Sequence, residues 1–354
     1  MKRGKRRGPA FLVLALGGML ATSAAVAGTA PEAQAAFNEK VVFVSDRTTG
    51  TGVDNPTGDN EIFSMNPDGT GVKQLTFNDV DDAEPALSPH GTKIAYMSRG
   101  DQASNPEGDI EIYAMKASDG SGKKNLTHNG SDVDDYSPVF SPDDTKVAYQ
   151  SQGVQPSNLQ GDYDVYRVNA SDGTANKNLT NNGAGVGDFF PDFSPDGTRI
   201  AYTSEGPQAS NPEGDREVYR MSAADGTGKK NLTNNKAAYD HSPDFSPGGK
   251  TIAYESGGKQ ASNPQGDYEV YRLNASDGTG KKNLTNNGEG VTDASPVFSP
   301  DGTKIVYESY GTQTTNAEGD DEVYRLKTLD GTGKKNLTDN EASDYSPDWG
   351  VQAT

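Results

Sequence analysis

Short runs in which apolar and polar residues alternate recur along the chain, separated by turns rich in glycine, proline, asparagine and aspartate. Such runs predict β-strands, and no stretch beyond residue 37 has a helical apolar period. The clearest run is Ile94–Ser98. Its equivalents begin every 52 or 53 residues, at Val41, Val147, Ile200, Ile252 and Ile305. A fixed period of this length indicates a repeat architecture.

Two further motifs repeat six times in the same order. The motif Gly-Asp-x-(Asp/Glu)-(Val/Ile)-(Tyr/Phe) begins at Gly58, Gly108, Gly161, Gly214, Gly266 and Gly319. The dipeptide Leu-Thr begins at Leu75, Leu126, Leu179, Leu232, Leu284 and Leu337. Together the three motifs mark three strands per unit, and an apolar run that includes Pro138–Phe140 in the third unit marks a fourth.

The third unit shows the predicted strand order. Its strands are expected around Pro138–Phe140, Lys146–Ser151, Asp164–Asn169 and Lys177–Thr180. Six four-stranded units predict an all-β fold, a six-bladed β-propeller. Each unit also carries one aromatic residue at a fixed strand position, which we expect to pack between neighbouring blades.

The two ends of the repeat region predict how the ring closes. The region begins at Lys40–Phe43 with a run that has the pattern of the second strand of a unit. It ends at Ser346–Trp349 with a run that has the pattern of the first strand of a unit. Each strand type then occurs six times only if the C-terminal strand completes the first blade. An open array would leave exposed sheet edges, which soluble proteins avoid. Residues 37–354 are therefore expected to form one closed propeller.

The first 35 residues have the composition of a secretory signal peptide, with cleavage expected after Ala27 or Ala35. Arg6 and Arg7 leave a twin-arginine route open beside the general secretory one. The apolar stretch Ala10–Leu20 is short for a membrane span. The chain contains no cysteine, so no disulfide, lipidated cysteine or thiolate metal site is expected. We expect an exported protein, extracellular or periplasmic, without a stable membrane anchor.

Charge restricts the partners. The chain has a formal net charge of −19, and residues 1–35 contain five cations against one acid, so the remainder is more acidic still. An acidic surface repels nucleic acids and anionic lipids, and it attracts cations or basic partners.

The repeat resembles a known family. Phe298–Tyr307, Glu322–Leu326, Asp330–Thr332 and Leu337-Thr338 are similar to the WD40-like repeat of the TolB-like β-propellers. The resemblance covers residues 40–350, so only the propeller part of TolB is expected here, without its N-terminal domain. It implies a six-bladed, exported propeller that serves as a platform for protein interactions. The same repeat occurs in the non-catalytic propeller of prolyl-oligopeptidase-like peptidases, but no G-x-S-x-G motif is present.

Two sets of repeated polar residues are candidate site residues. The connection from the second to the third strand carries an asparagine in every unit: Asn55, Asn105, Asn158, Asn211, Asn263 and Asn316. These residues are candidates for a binding face, or else they shape the turn by bonding local backbone.

The second set precedes the repeated proline by three residues: Asp82, Asp135, Asp188, Asp240, Asp293 and Asp344. A ring of these carboxylates at the channel mouth would repel itself unless a hard cation such as Ca²⁺ bound there. The alternative is that each aspartate bonds the backbone of a neighbouring blade. No EF-hand motif is present.

Catalytic residues are few. The three histidines, His90, His128 and His241, replace other residues in regular repeats, and only His241 lies near the expected channel mouth. Three further acids, Asp192, Asp244 and Asp348, also break the sixfold pattern. A catalytic site needs an asymmetric group of residues, which these near-identical repeats scarcely provide.

The sequence therefore favours a monomeric, non-enzymatic binding scaffold whose loop face contacts a protein or a cell-envelope polymer, with no cofactor required. The alternative is a metal-dependent hydrolase or lactonase with a cation in the propeller channel.

Overall fold

The computed structural model describes residues 38–100, 102–236 and 238–352, and these residues form 24 strands in six antiparallel sheets. The predicted signal peptide lies outside them. In the described ranges no helix has the length and apolar character needed to cross a membrane.

The six sheets are the predicted blades. Blade one contains β1 (Asn38–Ser45), β2 (Glu61–Met65) and β3 (Lys73–Gln74). Blade two contains β4 (Asp82–Leu87), β5 (Lys93–Arg99), β6 (Ile110–Lys116) and β7 (Lys124–Asn125). Blade three contains β8 (Asp134–Phe140), β9 (Lys146–Gln152), β10 (Asp164–Asn169) and β11 (Lys177–Asn178). Blade four contains β12 (Gly187–Phe193), β13 (Arg199–Glu205), β14 (Glu217–Ser222) and β15 (Lys230–Asn231). Blade five contains β16 (Tyr239–Phe245), β17 (Thr251–Gly257), β18 (Glu269–Asn274) and β19 (Lys282–Asn283). Blade six contains β20 (Thr292–Phe298), β21 (Lys304–Tyr310), β22 (Asp321–Lys327) and β23 (Lys335–Asn336).

The last strand closes the ring as predicted. Strand β24 (Asp344–Gln352) joins blade one, where it pairs antiparallel with β1 from Asn38 opposite Gln352 to Ser45 opposite Asp344. The inner strands β4, β8, β12, β16, β20 and β24 contact one another in a closed circle around a central channel.

The core lies between adjacent blades. One cluster joins Ala95 and Ile112 of blade two to Phe140, Val147 and Tyr149 of blade three, and the other clusters repeat this arrangement. The strand aromatics are fully buried in these clusters, so they form the hydrophobic contacts that hold blade to blade.

Lysines add a polar connection at the outer edge of every seam. The ammonium group of one lysine per blade, at the start of the fourth strand, donates a hydrogen bond of 2.6–3.0 Å to a backbone carbonyl of the next blade. These residues are Lys73, Lys124, Lys177, Lys230, Lys282 and Lys335. Lys335 bonds Asp68 O and so connects blade six to blade one.

Every inner strand contains a β-bulge that the sequence did not predict. The residue before the repeated proline has a positive φ of 45–51° in all six blades, and the strand register shifts there. These bulge residues are Glu84, Ser137, Phe190, Ser242, Ser295 and Ser346. A non-glycine residue in this conformation costs on the order of 1–3 kcal/mol, so neighbouring contacts must hold it.

The contacts that hold the bulge come from the preceding blade. In four seams the N–H of the bulge residue donates to a side-chain oxygen at one position of the second strand, at 2.9–3.2 Å. The acceptors are Gln150, Thr203, Glu255 and Glu308. Blade two has Met97 at this position, which offers no oxygen, and Glu84 accepts from the Ser137 N–H instead, at 2.6 Å.

Candidate functional site

The six repeated asparagines lie inside their loops. Each is buried, with an exposed fraction of at most 2%. Each Nδ2 donates to a carbonyl four residues ahead at 2.6–2.7 Å, and each Oδ1 accepts the N–H of the motif glycine at 2.8–3.2 Å. These contacts are those of the turn-shaping alternative. The asparagines therefore fix the shape of the binding-face loops, and other residues form the outer surface of those loops.

The six repeated aspartates are also buried, with no exposed surface. Each pairs in register with the serine that ends the second-strand motif of its own blade, as Asp82 does with Ser98. An asparagine of the preceding connection donates to each carboxylate, for example Asn78 to Asp82 at 2.8 Å. Each aspartate thus has hydrogen-bond partners of its own within the blades.

Five of these aspartates also have a cation close by. Lys123 Nζ lies 3.7 Å from Asp82 Oδ2, and Arg47 lies 2.7 Å from Asp344 Oδ1. The charges of Lys229, Lys281 and Lys334 oppose the effect of burial on Asp188, Asp240 and Asp293, without forming ion pairs. Burial still raises the pKa of all six aspartates, that of Asp188 to about 7 and that of Asp293 to about 6. Blade three has Asn176 at the lysine position, and the pKa of its Asp135 is raised well above the ordinary value.

In the described ranges no three histidine, aspartate or glutamate side chains are grouped so that they could hold a metal ion. The six aspartates lie in six different sheets, and each has hydrogen-bond donors of its own there. The predicted calcium site therefore stays a prediction, which a melting curve with and without millimolar calcium can test.

The lysine contacts make a stability prediction. Replacing Lys229 by Met should lower the free energy of unfolding at pH 8 by about 1–3 kcal/mol, because the buried Asp188 loses a nearby cation and Thr180 O loses its donor. Adding Asp188→Asn should recover most of this loss, since the amide needs no countercharge. Urea unfolding of both variants and of Asp188→Asn alone measures the coupling. A Lys229→Met protein as stable as the unaltered protein would contradict the role assigned to the lysine.

The central channel contains a cavity of about 610 Å³, lined by the inner strands of all six blades. Asp192, Asp244 and Asp348 lie in its wall. Their Oδ2 atoms accept the N–H groups of Phe245, Phe298 and Leu87 in the next blade, at 2.6–2.9 Å. Burial and the charge of Asp348 raise the pKa of Asp192 to about 7. Burial raises the pKa of Asp348 to about 6. The three acids that break the sixfold pattern are therefore blade-to-blade ties within the channel.

His241 directly precedes Ser242, which lines the channel cavity. The Nδ1 of His241 contacts Glu255 Oε1, and Ser242 Oγ donates to the same carboxylate oxygen at 2.9 Å. Burial alone would raise the pKa of Glu255, but His241, Ser242 and the Ser295 N–H hold it below its ordinary value. His90 and His128 are exposed. The histidines are not brought together.

A continuous row of six aromatic rings follows one half of the channel mouth, across blades three to five. Successive ring centroids lie 4.7–6.3 Å apart. We call this row the aromatic belt, and it consists of Tyr136, Tyr163, Phe189, Phe190, His241 and Tyr268. All except the buried Phe189 are half-buried, so each keeps part of its ring accessible.

The belt occupies positions at which the repeat varies. Tyr163 and Tyr268 stand at the x position of Gly-Asp-x, where the other blades have Asn60, Ile110, Arg216 and Asp321. The remaining four residues follow the repeated aspartate of the inner strand by one or two positions. Of these residues the sequence singled out only His241, because the other five do not belong to what the six copies share. The signal that would have found them is variation at one position within an otherwise regular repeat.

Comparison with known proteins agrees with the fold. No family model matches the chain. A protein TolB homolog of Chlorobium luteolum is 32% identical over 170 residues, which cover 48% of this chain and 32% of that protein. Dipeptidyl-peptidase 5 of Porphyromonas gingivalis is 27% identical over 234 residues, covering 55% and 32% of the two chains. The chain thus matches about a third of the length of these curated relatives.

The crystal structure of TolB from Acinetobacter baumannii superposes with a TM-score of 0.65 at 23% identity, covering 88% of this chain and 67% of that chain. A likeness at this level of identity concerns the fold.

Proposed function

We propose that this chain, which is a TolB-like β-propeller, acts as an exported, non-enzymatic binding scaffold in the periplasm or outside the cell. It binds a protein or cell-envelope polymer as a monomer, at the mouth of its channel. The partner contacts the face on which the second-to-third and fourth-to-first strand connections emerge, which we call the loop face. The TolB homologues among its relatives support this assignment.

One observation carries the proposal: aromatic side chains that break the sixfold pattern are gathered on one half of the loop face. The residues that repeat in all six blades have structural roles: the asparagines shape loops, the aspartates lie inside the blades and the strand aromatics form the core. The belt residues vary from blade to blade without disturbing the strands, and all of them except Phe189 remain partly accessible.

The chemistry of the belt suits recognition. Tyrosine offers a large apolar face and a hydroxyl at low conformational cost, and such residues dominate the binding energy of many interfaces. Four belt residues lie on paired inner strands, and Tyr163 and Tyr268 directly precede a paired third strand, so the rings are held in place before a partner arrives. Little entropy is then lost on binding.

The test uses the partner that co-purifies with the native exported protein, identified by mass spectrometry and then prepared pure. Replacing Tyr163 and Tyr268 together by Ala should weaken its binding at least tenfold in a calorimetric titration. The control is Leu329→Ala, an exposed residue in a third-to-fourth strand turn of the opposite face, which should change the affinity less than twofold. Equal affinities for the unaltered protein and the tyrosine variant would refute the loop-face proposal.

The metal-dependent hydrolase stays the alternative, and the same preparation separates the two. A hydrolase would turn over its bound partner and stop when a chelator is added, whereas a scaffold would return the partner intact.

A further inference from the structure

Two arginines near the rim of the channel are held in the same way. Arg216 lies over the ring of Phe189 at 5.5 Å, and its Nε contacts Glu205 at 2.8 Å. Arg47 lies over the rings of Phe43 and Phe63 at 5.3 and 5.0 Å, and it contacts Asp344 at 2.7 Å. In both places an aromatic face and a carboxylate together bind one guanidinium group.

A third group of the same composition lies in the belt, between blades two and three. The ring centroids of Tyr136 and Tyr163 are 6.2 Å apart. Asp134 lies two residues before Tyr136 on β8 and so on the same side of the strand, and Glu84 Oε2 accepts the N–H of Ser137, the residue after Tyr136, at 2.6 Å. The charges of both acids add to the rise that burial causes in the pKa of Tyr136. We call Glu84, Asp134, Tyr136 and Tyr163 the tyrosine–carboxylate group.

Each carboxylate of this group keeps an oxygen for a ligand. Asp134 Oδ1 accepts the Ile110 N–H at 2.9 Å, and Glu84 Oε2 accepts the Ser137 N–H at 2.6 Å, so Asp134 Oδ2 and Glu84 Oε1 are left over. Within the described part of the chain neither acid forms an ion pair with a lysine, arginine or histidine. The exposed Arg99 opposes the rise in the pKa of Tyr136 but forms no ion pair with either acid.

We propose that the tyrosine–carboxylate group binds an arginine or lysine side chain of a protein partner, inserted at the mouth of the channel. This inference rests on the proposed function and adds the chemistry of the partner. A guanidinium stacked on Tyr136 or Tyr163 would bond Asp134 and Glu84, as Arg216 bonds Glu205 over Phe189. The acidic surface of the whole domain would attract such a basic segment before contact.

The choice of a protein follows from the surroundings. The cavity below the rim is about 610 Å³ and is walled by prolines and apolar side chains, which suits the neighbouring residues of an extended polypeptide. A small free amine would leave that wall uncovered.

The experiment uses a capped hexapeptide of alternating arginine and glycine, titrated calorimetrically into the full mature protein at 0.15 M salt, where distant charges are largely screened. The matched peptide has citrulline in place of arginine, which keeps the shape and removes the charge. The test variant combines Glu84→Gln with Asp134→Asn, because both amides keep a carbonyl oxygen to accept the backbone N–H groups.

The control variant combines Asp119→Asn with Asp172→Asn, two exposed acids in third-to-fourth strand turns of the opposite face, and so removes the same charge elsewhere. We expect the test variant to bind the arginine peptide at least tenfold more weakly than the unaltered protein, and the control variant within twofold. The citrulline peptide should bind at least tenfold more weakly than the arginine peptide.

Equal losses in both variants would show diffuse attraction to an acidic protein and would overturn the inference. Citrulline binding as tight as arginine binding would also overturn it, while leaving the loop face as a binding surface. Failure of the natural partner to respond to the double tyrosine variant described above would refute the proposed function itself.

Discussion

Removal of residues 345–354 should abolish cooperative unfolding of the propeller. These residues include most of β24, which supplies the innermost strand of blade one. Its loss would expose the edge of β1 and the core around Trp349, whose side chain is 5% exposed in the intact ring. It would also remove the Asp348 bond to the Leu87 N–H, which ties blade one to blade two.

The expected result is a truncated protein that aggregates, or that melts without a single sharp transition in calorimetry and circular dichroism. Burial of one large aromatic side chain is worth about 3–5 kcal/mol, a large part of the 5–15 kcal/mol that stabilises a typical domain. Trp349→Ala in the full chain is the graded control, since it should lower the melting temperature while leaving one transition. Adding a synthetic peptide of residues 344–354 to the truncated protein should restore part of the transition. A truncated protein that melts like the full domain would disprove closure by β24.

The second large effect is on pH. The protein should become more stable as the pH falls from 8 to about 5.5, the reverse of what paired surface carboxylates produce. The cause is a glutamate at the start of the third strand in five blades, buried beside a threonine. Burial raises the pKa of Glu61, Glu111, Glu269 and Glu322 to about 7 and that of Glu217 to about 8.

The sign follows from proton linkage. A carboxyl group whose pKa is higher in the folded state binds more protons there, so its contribution to stability is complete below its unfolded pKa near 4.5 and is lost as the pH rises through about 7. Each pKa unit corresponds to about 1.4 kcal/mol. The pKa of Glu255 is shifted the other way, so that group titrates at a lower pH than these five glutamates and adds nothing to the trend.

We therefore expect the melting temperature to rise by about 5 °C or more between pH 8 and pH 5.5, at 2–4 °C per kcal/mol for a domain of this size. The matched variant replaces Glu111, Glu217 and Glu269 by Gln, which keeps the shape without the charge. It should be more stable than the unaltered protein at pH 8 and should lose part of the pH dependence, while Asp188, Asp192 and Glu308, whose pKa burial also raises to about 7, maintain the rest. A melting temperature that stays constant or climbs from pH 5.5 to pH 8 would contradict the assignment.

Most of the fold could be predicted because the same strand motifs occur six times in the sequence. Strand types, blade number, closure by the C-terminal strand and likeness to the TolB-like propellers are confirmed. The first strand of each blade begins earlier than predicted: β8 starts at Asp134 rather than near Pro138. The reason is the bulge before the proline, because a residue preceding proline normally stays extended and nothing in the local sequence indicates a positive φ.

The candidate site was less predictable, for a physical reason. Placing Asp188 and its equivalents at the channel mouth assumed regular alternation up to the proline, and the bulge interrupts that alternation. Lys229, whose charge acts on Asp188, lies 41 positions further along the chain, so its position beside Asp188 depends on blade geometry. The belt combines two residues from each of three blades, and no one repeat contains enough of it to be noticed.

The hydrogen bond between Glu84 and the Ser137 N–H links the side chains at positions 84 and 97. Met97 offers no acceptor to the strained Ser137 backbone, and Glu84 of the same blade provides one instead. A change of Glu84 to the serine found at four other bulges would remove the side-chain acceptor of the Ser137 N–H, since Met97 offers no oxygen. The residue that provides this acceptor is also an acid that lines the channel cavity. A residue that blade two needs for its contact with blade three therefore also sets the chemistry that a ligand meets inside the channel.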